Sequence, residues 1–307
     1  MTRASMQLFR GLSVLTLFTL VLPGCKKDPE PEPEKEVKTA PEPVVLPDPG
    51  PVEPRFDLSG PTPPETSTVV FSVDGALTPL ACFNKDKGAL ASGADCVGLV
   101  AEGSEVYMES SFGKKALEKT GAGTATSMCA DEGAIPVAAL SSGADYDWAV
   151  WPKSLAPTFT QISPDTWSDR GARLDEAETK AVQEAIAKVK KSAGEFQPKQ
   201  KATIDIDGDG TDELFASAVL INPNDPDTYL FSGLFMAPGG DLTKLQLIDQ
   251  AKKGADVIKL FGAVDLNGDG KRELWTGISF DGGAGERMVE LKDKPTVMGK
   301  WTCGAGG

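Results

Sequence analysis

Asp205-Ile206-Asp207-Gly208-Asp209-Gly210-Thr211-Asp212-Glu213-Leu214 returns sixty residues later as Asp265-Leu266-Asn267-Gly268-Asp269-Gly270-Lys271-Arg272-Glu273-Leu274. Six of the ten positions are identical, and the oxygen-bearing side chains fall at matching places in both copies. Oxygen donors at alternate positions of a tightly turning backbone converge on one point, which is the design of a cation-binding loop. Counting Asp205 as position one, Asp207 and Asp209 stand at three and five, Thr211 offers its backbone carbonyl at seven, and Glu213 stands at nine. Gly210, at six, permits the sharp turn. The second copy supplies Asp265, Asn267, Asp269, the carbonyl of Lys271, and Glu273 at the same places. Hard carboxylate oxygens without nitrogen or sulfur donors select Ca2+ over transition metals, and the tight octahedral demand of magnesium fits less well. Four side-chain carboxylates serve the first loop and three the second, which also has Lys271 and Arg272 nearby. The first loop is therefore expected to bind calcium more tightly.

The flanks decide the kind of loop. An EF-hand requires a bidentate Glu at position twelve, where this chain has Ala216 and Thr276. The flanks also lack helical periodicity and read as strands. Lys201–Ile206 leads into the first loop, and Leu214–Ile221, Tyr229–Met236 and Leu242–Ile248 follow it. Val257–Leu266, Leu274–Phe280, Arg287–Leu291 and Thr296–Trp301 repeat that order around the second loop. Four strands per sixty-residue unit is the content of one propeller blade. With Phe261-Gly262 ahead of the second loop, the Asp-x-Asp-Gly-Asp-Gly-x-x-Glu-Leu pattern resembles FG-GAP and VCBS-type repeats. That resemblance implies calcium loops joining strands within blades, over residues 195–307. Two units are too few to close a propeller, so the preceding region is expected to complete the sheet structure or the pair to remain open.

The chain contains no histidine. Ser-His-Asp and Cys-His nucleophiles, most catalytic zinc sites and 2-His-carboxylate iron sites are thereby excluded. Residues 1–24 read as a signal peptide: Arg3 and Arg10 precede the apolar run Leu12–Leu22, which is shorter than a membrane-spanning helix requires. The run ends in Leu22-Pro23-Gly24-Cys25, which resembles the lipobox of bacterial lipoproteins. The resemblance implies lipidation (including palmitate) of Cys25 and anchoring in the cell envelope. By resemblance to the lipoproteins of enteric bacteria, where Asp after the cysteine retains the protein in the inner membrane, Lys26 implies the outer membrane. Removing Arg3 and Arg10 with the leader leaves 29 basic against 45 acidic residues, a net charge of −16 that disfavours nucleic acid.

Residues 25–66 carry the lipidated Cys and a tether: positions 26–66 hold twelve prolines, ten acidic residues and a single aromatic, Phe56. Such a segment cannot bury apolar surface and reads as an extended, self-repelling stalk. Residues 67–160 read as a small β-rich domain, with strands expected at Thr68–Val73, Leu77–Phe83, Cys96–Ala101, Glu105–Glu109, Ile135–Leu140 and Tyr146–Trp151. Cys82, Cys96, Cys129 and Cys303 remain once Cys25 is lipidated, and an even count in an exported chain reads as two disulfides. Four cysteines allow three pairings. Cys82–Cys96 is favoured because the two flank a hairpin, which leaves Cys129–Cys303. Alternation places Tyr146 and Trp148 on one strand face and Trp151 on the other, a pattern that favours packing over ligand stacking.

Residues 161–194 form a connecting segment with a helix from Asp175 to about Ser192. Val182, Ala185, Ile186, Val189 and Ala193 make its narrow apolar stripe, Asp175 and Glu178 a capping box, and Gly194 its stop. The fold class expected is mainly β with one amphipathic helix: a β-rich N-terminal domain followed by two propeller-blade-like repeats. No catalytic constellation stands apart from the calcium ligands. The expected role is a non-enzymatic, lipid-anchored envelope protein with structural calcium. Calcium-dependent recognition of a glycan or protein is the alternative, and a carboxylate-based extracytoplasmic hydrolase ranks behind it.

Overall fold

The computed structural model describes residues 66–125, 133–137, 146–168, 171–191, 193–251, 254, 256–280 and 283–304. The two repeats form two four-strand meanders. β8 (Glu195–Ile204), β9 (Glu213–Asn222), β10 (Asp225–Ala237) and β11 (Gln246–Gln250) make one antiparallel sheet, in the order β11-β10-β9-β8. β12 (Val257–Val264), β13 (Glu273–Phe280), β14 (Gly283–Leu291) and β15 (Pro295–Gly304) make the second. The short strand β7 (Thr160–Gln161) adds to its β12 edge. In both sheets the acidic loop joins the first strand to the second.

The N-terminal region supplies a third sheet, of order β3-β2-β1-β6-β4-β5. Its strands are β1 (Thr68–Val73), β2 (Leu77–Asn84), β3 (Ala89–Ala91), β4 (Glu105–Glu109), β5 (Lys115–Lys119) and β6 (Trp148–Trp151). The protein is mainly β, as the alternating and β-branched runs require.

The sheets stack face to face because their strands are apolar on both sides. In β9, Ala216, Ala218 and Leu220 face Val182 and Ile186 of helix α2 (Glu176–Val189). Phe215, on the opposite face, joins Leu234 and Met236 against Ile258, Leu260, Leu274 and Ile278 of the second repeat sheet. That sheet turns Val264, Trp275 and Met288 toward Val70, Leu80, Tyr107, Trp148 and Val150 of the N-terminal sheet. Val69, Phe71, Val106 and Met108 fill the far side of the N-terminal sheet together with Ile135 and Val137. The order of layers is thus helix, first repeat sheet, second repeat sheet, N-terminal sheet. Large buried side chains such as Phe215 and Phe235 each contribute on the order of 2–3 kcal/mol by leaving water.

Helix α2 has the expected capping box: Glu178 N–H donates to Asp175 Oδ1, and Asp175 N–H donates to Glu178 Oε2, both at 2.8 Å. It packs on a sheet face, as its stripe predicts. It ends at Val189, about a turn before Ser192, because the buried stripe stops at Ile186 and Val189 is 49% exposed. Gly194 therefore does not stop the helix. A Cβ there would lie 2.8 Å from the Ile221 carbonyl oxygen, so glycine lets the chain pass close over β9.

Two local expectations in the N-terminal region are corrected. Cys96–Ala101 is not a strand: Ala94–Val97 forms a single helical turn, α1, that follows Gly93 at φ 58° and buries Cys96. Tyr146 does not share a face with Trp148. The strand begins only at Trp148, and Tyr146 packs with Trp151 on the side opposite Trp148. The charged run Lys115–Lys119, unread from sequence, is an edge strand pairing only with β4. Charges on an edge block further pairing.

Cys82 and Cys96 form a disulfide. Cys25 and Cys129 lie outside the described residues, as does the Cys303 side chain, and Ile135–Leu140 is described only to Val137. Among the described residues no helix is long and apolar enough to cross a membrane.

Candidate metal centre

The two acidic loops adopt one conformation. Gly208 and Gly268 both have φ 73°, and Gly210 and Gly270 both have φ 85°, a left-handed geometry that side chains with a Cβ rarely tolerate. The carboxylate at position one closes the turn in each. Gly208 N–H and Gly210 N–H donate to the two oxygens of Asp205 at 2.8 and 3.1 Å, and Gly268 and Gly270 do the same to Asp265 at 2.8 and 3.0 Å. Asp209 N–H donates to Asp207 and Thr211 N–H to Asp209, matched by Asp269 N–H to Asn267 and Lys271 N–H to Asp269.

Glu213 and Glu273 open the second strand of each sheet and brace the loop from behind. Their Oε2 atoms accept the Ile206 and Leu266 amides at 2.8 and 2.9 Å, and Glu213 Oε1 also accepts the Gly239 amide. Both are almost fully buried.

The structure brings Asp205, Asp207 and Asp209 together, with one carboxylate oxygen of each within 4.8 Å of the others. Glu213 lies outside that group, and Thr211 enters the loop network through its amide. In the second loop the amide of Asn267 replaces the central acid, and its Nδ2 donates to Asp269 at 3.0 Å. Among the described residues no loop carboxylate forms an ion pair with Lys or Arg. Clustered, uncompensated hard oxygens fit a divalent cation of the calcium type.

Electrostatics supports that fit. Burial raises the Glu213 carboxyl above the ordinary Glu value, with the charge of Asp207 adding to the effect. Glu273 is pushed up to about 8, chiefly by burial and further by Asp265 and Asp269, and burial also raises Asp265. A raised carboxyl binds more protons folded than unfolded. Its stabilising contribution is present at and below pH ~4.5 and is lost as pH rises through about 8. Calcium-free protein is therefore expected to melt higher at pH 5 than at pH 8. Added calcium should shrink that difference by compensating the charges. Thermal melts in chelator across this window check the sign, and a melting temperature that rises with pH would contradict it.

The loops also touch. A Cβ on Gly208 would stand 3.7 Å from the Gly270 carbonyl oxygen. Arg272 N–H donates to the Ile206 carbonyl at 2.8 Å, and its guanidinium reaches the Asp205 carbonyl at 2.7 Å and Thr160 Oγ1 at 3.1 Å. Position eight of the second loop thus ties down positions one and two of the first. The second loop is held likewise by its neighbour: Thr68 Oγ1 donates to the Leu266 carbonyl at 2.5 Å and Thr158 Oγ1 to the Asp265 carbonyl at 3.5 Å. From sequence, Arg272 reads only as a positive charge weakening its own loop. Its link to the first loop carries no signal in residue order.

Comparison with known protein families, with curated proteins and with solved structures returns no match.

Proposed function

We propose that the chain is a non-enzymatic, lipid-anchored protein of the bacterial cell envelope, on the outer membrane. In this reading its two FG-GAP/VCBS-like loops hold calcium as structural ions. The observation that carries it is the matched hydrogen-bond network of two loops at the joints between stacked sheets. An ion there would neutralise carboxylates that form no ion pair among the described residues and would stiffen a turn contacted by the next sheet. The leader and lipobox pattern, followed by the Pro- and Glu-rich stretch, supports display on a stalk.

Two experiments test this function. A calorimetric titration is expected to resolve two calcium sites, the tighter lost on Asp209→Ala and the weaker on Asp269→Ala. The order follows because Asn267 supplies one carboxylate fewer and already bonds Asp269. Absence of any calcium heat would sink the metal reading. Separately, Cys25→Ser is expected to move the protein from the membrane pellet to the soluble fraction, and an unchanged distribution would refute the anchor.

A further inference from the structure

A cavity of about 340 Å3 opens where the three sheets come together, and no residue of either acidic loop lines it. The chain between β7 and α2 runs beside it. Thr160 and Gln161 pair with β12, Ile162 N–H donates to the Phe261 carbonyl, and Trp167 bridges to Gln200 on β8. This size falls within the range of small-molecule sites, which favour such junctions between packed units.

Its walls are aromatic. Trp148, Trp167 and Trp275, three of the five tryptophans in the chain, line it with Phe261. Trp148 stacks on Phe159 at 3.8 Å between ring centres, and Phe261 stands edge-on to Trp275 at 5.6 Å, so these rings are held in place. Gln200, 4% exposed, fixes the wall behind them. Its Oε1 accepts the Leu260 amide at 2.7 Å and its Nε2 donates to the Leu260 carbonyl at 2.8 Å, joining β8 to β12 across two sheets. A rigid wall avoids the ordering cost of binding.

The polar groups select the ligand. Trp275 Nε1 donates to Glu286 at 2.9 Å, and Trp148 Nε1 donates to Gln161, whose own amide donates to Ser111 Oγ at 3.2 Å. Asp147 lies exposed at the cavity, its carboxylate accepting the Ser111 amide and keeping further acceptor sites. Lys259 Nζ sits 4.2 Å from the centre of the Trp167 ring. The lining holds charges of both signs, Lys259 against Asp147 and Glu286, so a ligand of either charge meets a like charge as well as an opposite one. Flat apolar walls edged with carboxylate and amide groups suit an uncharged ring with apolar faces and hydroxyl edges.

We propose that this cavity binds an uncharged saccharide, either a single sugar ring or the end of a short glycan. The site gives the envelope protein a recognition role, and it works without the calcium loops.

The test uses the full chain, with tryptophan emission and calorimetry as readouts, in calcium and separately in chelator. The probes are glucose, galactose, N-acetylglucosamine and their disaccharides, with choline and glucuronate as charged comparisons. At least one neutral sugar is expected to bind with one-to-one stoichiometry and to shift tryptophan emission, while choline and glucuronate do not. Trp167→Ala is expected to weaken that binding about tenfold or more. Should Trp167→Ala also lower the melting temperature, Asp147→Asn at its exposed position supplies the second reading, with binding weakened several-fold. No response from any neutral sugar at about 20 mM, preferred binding of a charged probe, or unchanged affinity in both variants would overturn the proposal. Calcium heats are measured apart from sugar heats, so failure here leaves the calcium reading standing, and the reverse holds.

Discussion

Chelator-treated protein is expected to melt about 10–20 °C below the calcium-saturated form. An ion binding only the folded state at about 100 times its dissociation constant adds ~2.7 kcal/mol per site, and there are two loops. In a folded unit of this size each kcal/mol moves the midpoint by about 2–4 °C. The effect should reach the whole transition, because each loop sits where one sheet meets the next. The first loop is bonded by Arg272 of the second repeat, and the second by Thr68 of β1. Differential scanning calorimetry with and without calcium checks it. Midpoints agreeing within about 2 °C would show that the loops hold their shape without an ion.

Among the described glycines, Gly299→Ala is expected to be the most damaging substitution by alanine. Gly299 lies buried in β15, where the second repeat sheet meets the N-terminal sheet. A Cβ built there would stand 2.1 Å from the Leu80 carbonyl oxygen and 2.8 Å from Ser92 Cβ. The obstacle is the backbone carbonyl of Leu80, at the point in β2 where pairing with β1 shifts register, and a backbone atom has no rotamer to retreat into. The sheets must part, loosening the Leu80, Trp148 and Trp275 core between them. A cost of about 3 kcal/mol or more follows, or roughly 6–12 °C in melting temperature. Urea denaturation measures it, and a loss below about 1 kcal/mol would mean that the contact is looser than it looks. At Gly277 the close neighbour is instead the Phe261 ring, a side chain and not the backbone of a neighbouring sheet.

Much of this architecture was legible in the sequence because period and punctuation are local signals. The alternating runs around each Asp-Gly loop gave both four-strand sheets, except that Leu242–Lys244, read as the start of a strand, is a 3-10 turn ahead of β11. Asp175 with Glu178 gave the start of α2, and the spacing of Cys82 and Cys96 gave their bond. Failures arose where distant contacts outweigh local preference. Cys96 sits in a helical turn although its neighbours read as strand, and α2 ends at Val189, beyond the last buried residue of its stripe. Gly194 reads as a helix stop and Gly299 as an ordinary strand position, yet each is fixed by the backbone of another strand close by. Of the candidate metal site, the donors at positions one, three and five were readable from spacing. The bracing of Glu213 against the Ile206 and Gly239 amides was not, and neither was Arg272 serving its neighbour. The tryptophan-lined cavity was invisible for the same reason. Trp148, Trp167 and Trp275 come from three separate segments, and only the stacking order brings them together.

The links between neighbouring loops give the molecule a direction. The first repeat is tied down by the second, and the second by the N-terminal sheet, whose described residues hold no matching acidic loop to pass the pattern on. The far side of that sheet is filled by Ile135 and Val137 of its own region, so it covers one end of the stack, the part that capping units play in repeat proteins. A duplicated unit could be spliced between the existing two without new chemistry, provided it carried an Arg at the place of Arg272. Lengthening past the N-terminal sheet would have nothing to grip.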